Sequence, residues 1–143
     1  MINLKMVLAE NPTKFTYKLQ NLSQALDRLQ EAVNQQHDAY VQDSVIKRFE
    51  FTFGLAWKLL KLIIHDEYQP NTPGAIIKRA YNEGYIKDYN TWVNMLKNRN
   101  TTSHEYSSSK SEEIYIKIKQ EFYDCLKSFH DEVKNELKIW SNR

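Results

Sequence analysis

Cysteine is almost missing from this chain. A single residue, Cys125, among 143 excludes an intramolecular disulfide and points to a reducing compartment, so the cytoplasm is the expected location. Glycine and proline are scarce too, three of each, which argues against a turn-rich sheet and for long helices. No window approaches the roughly 20 apolar residues that span a bilayer. The opening residues Met1 to Ala9 are interrupted by Lys5, so no secretory signal is expected there. A large charge of either sign is also lacking. Twenty Lys and Arg stand against 18 Asp and Glu, a net charge of +2, so no whole-surface field advertises a polyanion and any attraction for phosphate has to be local. There is no Gly-rich phosphate loop, which excludes nucleotide binding by a P-loop.

What remains has the make-up of an ordinary soluble domain, 41% hydrophobic and 27% charged, long enough to bury a core. With no internal repeat and no long linker, residues 1–143 read as one domain, with 1–12 as a short N-terminal extension. Thr13 offers an N-cap for the first helix, and Phe15, Leu19, Leu22, Leu26, Leu29 and Val33 recur at steps of three and four along it. The polar run from Asn34 to Asp38 ends that stripe.

A second helix is predicted from about Ala39 to Glu67. Val45, Phe49, Phe53, Ala56, Leu60 and Ile63 form one face, widened by Phe51, Leu55, Leu59 and Leu62, and a helix this apolar belongs at the centre. Asn71-Thr72-Pro73 and Gly84 bracket a short third helix. Asp88 caps a fourth. Ser109 and Glu112 have the spacing of a capping box ahead of a fifth helix running to about Trp140 through Ile114, Ile118, Phe122, Cys125, Phe129 and Val133. The expected fold is all-α, an up-and-down antiparallel bundle of about five helices.

Reactive polar side chains gather in one place, from Asn98 to Tyr106, where a helix gives way to a loop. Arg99 and His104 carry the chemistry that phosphodiester cleavage needs without a metal. An imidazole moves protons near neutral pH, and a guanidinium holds the charge that develops on a phosphoryl oxygen. Asn100 and Ser103 can donate further hydrogen bonds, and Tyr106 can stack on a base or offer its hydroxyl. On a continuous helix, however, Arg99 and His104 would diverge, so convergence on one substrate needs an unwound helix end or a second copy of the chain. The same residues are also those of a helix C-terminus dressed with polar caps, where Arg and His suit the dipole.

Elsewhere the chemistry is thinner. Glu50 sits between Phe49 and Phe51 and needs a cation there, which Lys47, Arg48 or Arg99 can supply; it reads as support for Arg99. Consecutive His65-Asp66-Glu67 point in different directions on a helix, so no metal site and no other cofactor is expected. His37 and His130 read as surface residues, Cys125 as a core thiol, and Trp57 and Trp92 as core or dimer contacts.

Arg99-Asn100, three residues, then His104-Glu105-Tyr106 late in a five-helix chain resembles the signature of the HEPN superfamily. The stretch from Ile46 to Lys58 is similar to the second helix of one branch, the nucleotidyltransferase substrate-binding proteins, so the resemblance covers nearly the whole chain. It implies a HEPN-like homodimer whose two Arg-x4-His motifs face each other across a cleft, and a small nucleotidyltransferase protein as partner. In several such pairs the helical protein is the toxin of a toxin-antitoxin system, a metal-independent endoribonuclease acting on RNA, and this is the role the resemblance implies here. The partner silences it by AMPylation of the motif tyrosine, here Tyr106. The alternative implied by the same resemblance is a non-catalytic subunit that binds substrate or nucleotide for the nucleotidyltransferase.

Overall fold

The computed structural model describes residues 8–100 and 108–142, with the backbone alone at residues 100 and 108. Six helices and no strand occur among the described residues. Short polar side chains decide where they begin. Asn11 accepts the backbone N–H of Lys14 and starts α1 (Pro12–Val33) with Pro12 in the first turn, so the cap is Asn11 and not Thr13. Residues 8–10, ahead of this helix, are helical and Leu8 is buried. Asp38 likewise accepts from the N–H of Val41 at 2.8 Å and starts α2 (Ala39–Ile64).

That helix ends at Ile64, three residues before the expected Glu67. His65 leaves the helical region of backbone space, and the Asp66 carboxylate accepts the Tyr68 N–H at 2.8 Å to build a turn. The Arg79 guanidinium closes this corner by donating to the Pro70 carbonyl and to Asn71 Oδ1.

Thr72 and Pro73 start α3 (Pro73–Asn82) as expected. Gly84 stops it with φ of 86°, a conformation that suits glycine; the Gly84 N–H donates to the Tyr81 carbonyl and the Tyr85 N–H to that of Ala80, the paired bonds of a Schellman turn. Asp88 caps α4 (Tyr89–Asn100) by accepting from the Thr91 N–H at 3.0 Å.

The last helical stretch is continuous but not uniform. It runs through α5 (Ser108–Lys117), a π-helical segment (Ile118–Phe122) and α6 (Tyr123–Ser141). Ser109 lies inside the first turn of α5, so it is not the cap of a capping box with Glu112. The wider π turn advances each residue through a smaller angle than an α-helix does, and Ile114 and Ile118 before it and Phe122, Phe129 and Val133 after it are all buried. Leu126, fully buried and four residues after Phe122, takes the place that simple periodicity assigned to Cys125, which is only partly buried.

Central helix α2 packs against α1, α3, α4, α5 and α6. Its rings join the layers: Phe49 stacks on Phe122 at 5.3 Å, Phe53 meets Trp92 at 5.9 Å, and Trp92 meets Phe129 edge-on at 5.3 Å. Two burial assignments, one of a surface and one of a core residue, need correction here. His130 is buried at 3% exposure, its Nδ1 2.9 Å from Asp131 Oδ1, because α6 turns it inward beside Phe129. Phe51, expected on the apolar face, is 64% exposed.

Candidate functional site

Phe51 marks the site. On α2 it lies two residues from both Phe49 and Phe53, about 200° round the helix from each, so burying those two turns it to solvent. Lys47, Glu50 and Gly54 share this uncovered arc with it. On one flank α1 contributes Arg28 and Glu31, on the other the last turn of α4 contributes Arg99, and between them lies a cleft of about 740 Å³.

Arg99 is placed there by the core. Trp92 and Met95 bury one side of α4 against the bundle, and Arg99, one turn beyond Met95, continues that side past the edge of the packed region. Its guanidinium crosses to α2, where a Cβ built on Gly54 would lie 3.9 Å from Nη2.

Glu50 is half-buried, and its Oε1 is shut away from solvent without a hydrogen-bond partner among the described residues. Burial pushes its carboxyl above the usual range, opposed by the positive charges of Lys47 and Arg99. Arg48, the third cation weighed for Glu50, lies on the α1 side of the same cleft. Its Nη1 donates to the Arg28 carbonyl and lies 4.0 Å from Glu31 Oε2, tying α2 to α1. Thr52 lies at that seam, its buried hydroxyl donating to the Arg48 carbonyl of its own helix at 2.6 Å and reaching the Ala25 carbonyl of α1 at 3.4 Å.

Four cations and two carboxylates thus line one opening with an exposed ring beside it. Such a lining can grip an anion, fix a planar group on Phe51, and offer a carboxylate to a hydroxyl or amine. Arg99 and Glu50 line the same cleft, with Lys47 beside them. Asn100 closes α4 with its backbone; its side chain, and Ser103, His104 and Tyr106, lie outside the described residues. Arg28 was not singled out from the sequence, since only the packing of α1 on α2 brings it near Arg99. Phe51 could have been found by the two-residue offset from its neighbouring phenylalanines. Among the described residues, no three His, Cys, Asp or Glu side chains converge to hold a metal ion, and no helix is long and apolar enough to cross a membrane.

The bundle is similar to a crystal structure of a protein from Thermus thermophilus, with a TM-score of 0.63 and 22% identity over 81% of this chain and 98% of the other, a likeness of fold. No curated protein matches the sequence. Residues 17–135 match the family described as nucleotidyltransferase substrate binding protein like. This span contains α2, the cleft and the Arg-x4-His stretch, and the chain belongs to that helical family of the HEPN superfamily.

Proposed function

We propose that this protein is the helical partner of a nucleotidyltransferase and that its cleft binds the phosphate of a nucleotide or polynucleotide substrate. The family description supports the partner, and the absence of a P-loop in this chain is consistent with nucleotidyl transfer being supplied by another protein. One observation carries the ligand class: the Arg99 guanidinium lies across the uncovered face of α2 together with Lys47 and Arg28, next to exposed Phe51. Guanidinium groups bind phosphate oxygens in pairs, and an aromatic face takes a base. Calorimetric titration with ATP, AMP and a short oligoribonucleotide tests this. Arg99→Ala should weaken binding of at least one of them by about 10- to 100-fold, the range for a hydrogen bond to a charged group. Equal affinity of variant and wild type would refute the reading.

A second reading is favoured by the position of Arg99 in the cleft at the head of the Arg-x4-His motif. Here the protein is a metal-independent endoribonuclease and the toxin of a toxin-antitoxin pair. The RNA 2′-oxygen attacks the adjacent phosphorus and the bond to the 5′-oxygen breaks, leaving a 2′,3′-cyclic phosphate and a 5′-hydroxyl. His104 moves the proton, Arg99 holds the developing charge, and Asn100 and Ser103 position the strand. A homodimer would bring two such motifs together. Transfer of AMP to Tyr106 by the partner would add bulk and negative charge beside Arg99 and His104 and repel RNA. Incubation of total RNA in excess EDTA separates the readings. Cleavage by wild type but not by His104→Ala, with cyclic phosphate ends, supports the nuclease, and intact RNA leaves the binding role.

A further inference from the structure

We infer that a second contact for single-stranded nucleic acid lies at the other end of α4, where Tyr81 and Tyr89 form a stacking platform. The inference deepens the reading of the Arg99 cleft and rests on it for the class of ligand. Two tyrosines are left 48% and 37% exposed there, their ring centroids 6.2 Å apart at 71°, so each ring holds the other in place. Their backbones are fixed as well. Tyr81 accepts the Gly84 N–H in the Schellman turn that ends α3, and Tyr89 follows the Asp88 cap as the first residue of α4. Lys78, one turn before Tyr81 on the same side of α3, and Lys87 stand at the edges of the opening, which measures about 510 Å³, and Asn82 and Asn90 complete the lining.

The one carboxylate lining this opening, exposed Asp88, has both oxygens engaged in capping α4. Asp88 accepts from the Thr91 hydroxyl at 2.6 Å and from the Thr91 N–H at 3.0 Å, bonds that hold its carboxyl below the usual range. Lysines, exposed aromatic faces and side-chain amides complement phosphates, bases and base edges in turn. Base faces are open in single strands and hidden in duplexes, which selects the single strand. Geometry links this platform to the cleft. Tyr89 and Arg99 are ten residues apart on one helix, roughly 15 Å, a distance covered by about four or five stacked nucleotides. A strand with one phosphate at Arg99 therefore has bases within reach of the tyrosines, whereas a dinucleotide does not.

Fluorescence anisotropy at one fixed salt concentration tests the platform, using a fluorescein-labelled 12-nucleotide 2′-O-methyl oligouridine, which has no free 2′-hydroxyl for self-cleavage, and the corresponding dinucleotide. The full-length Tyr81→Ala/Tyr89→Ala protein should bind the 12-mer about tenfold more weakly and the dinucleotide as before. Tyr81→Phe/Tyr89→Phe should bind both like wild type, since stacking needs the ring and not the hydroxyl. Unchanged 12-mer affinity in the alanine variant overturns the inference, and so does an equal loss in the phenylalanine variant. Loss of self-association or of the nucleotidyltransferase partner with 12-mer affinity intact would make this face a protein interface and overturn it too. Arg99→Ala reports separately: if it changes neither ligand while the tyrosine variants weaken the 12-mer, the cleft reading fails and the platform stands.

Discussion

Gly54 offers a way to move Arg99 without touching it. The residue lies well inside α2, where glycine is about 1 kcal/mol less favourable than alanine. A Cβ there would stand 3.9 Å from Arg99 Nη2, ordinary van der Waals contact, so alanine fits with the guanidinium in place. Leucine does not: its further three carbons need the space that the guanidinium occupies. Gly54→Ala should therefore raise stability by about 1 kcal/mol, roughly 3 °C in Tm for a domain of this size, with ligand affinity unchanged. Gly54→Leu should keep most of that helical gain and yet bind nucleotide or oligonucleotide about 10- to 100-fold more weakly, the cost of losing a charged hydrogen bond. Urea denaturation and calorimetric titration on the same three proteins read the two effects independently. A leucine variant that binds as tightly as wild type would show that Arg99 does not serve the ligand from its position over α2.

Three further outcomes follow from the packing and the titrating groups. Trp92→Ala removes a fully buried indole that meets both Phe53 and Phe129, and should cost about 3–5 kcal/mol in urea denaturation; a loss below about 1 kcal/mol would mean that α4 is not anchored by this ring. Glu50 holds its proton more tightly in the folded chain than in the unfolded one. Its contribution to stability is complete below the ordinary value of 4.5 and is lost as pH rises through its raised folded pKa, so Glu50→Gln should remove that slope and be relatively more stable at neutral pH. A wild-type-minus-variant difference that stays constant from acid to neutral pH would contradict this. Burial pushes the Cys125 thiol up to about 12, which leaves a thiolate fraction on the order of one in ten thousand at pH 8. Iodoacetamide should then modify the unfolded protein and spare the folded one, as mass spectrometry would show.

Local chemistry wrote most of the helix boundaries into the sequence. Thr72 with Pro73, Gly84 and Asp88 were legible because a cap needs only a side chain and the backbone a few residues away. The same locality limits the reading where two polar residues compete. Asn11 and Thr13 both offer an oxygen, and Asn11 wins with Pro12 placed in the first turn. Periodicity likewise marked α2 as the central helix, since its burial on most sides demands an apolar sequence. It could not anticipate the π turn at residues 118–122, nor decide between Cys125 and Leu126, three and four residues after Phe122, both of which are steps a helix allows.

For the site, Glu50 was readable as a residue that needs a partner, because a charge beside apolar neighbours is costly unless compensated, and Arg99 as a cation able to hold phosphate charge. That Glu50 feels the charges of both Lys47 and Arg99, that Arg48 turns instead to α1, and that Arg28 and exposed Phe51 complete the lining, were decided by packing. A sequence states which side chains require burial or a counter-charge. Which of several qualified neighbours meets that requirement depends on where other helices cross, and those crossings are a property of the whole core.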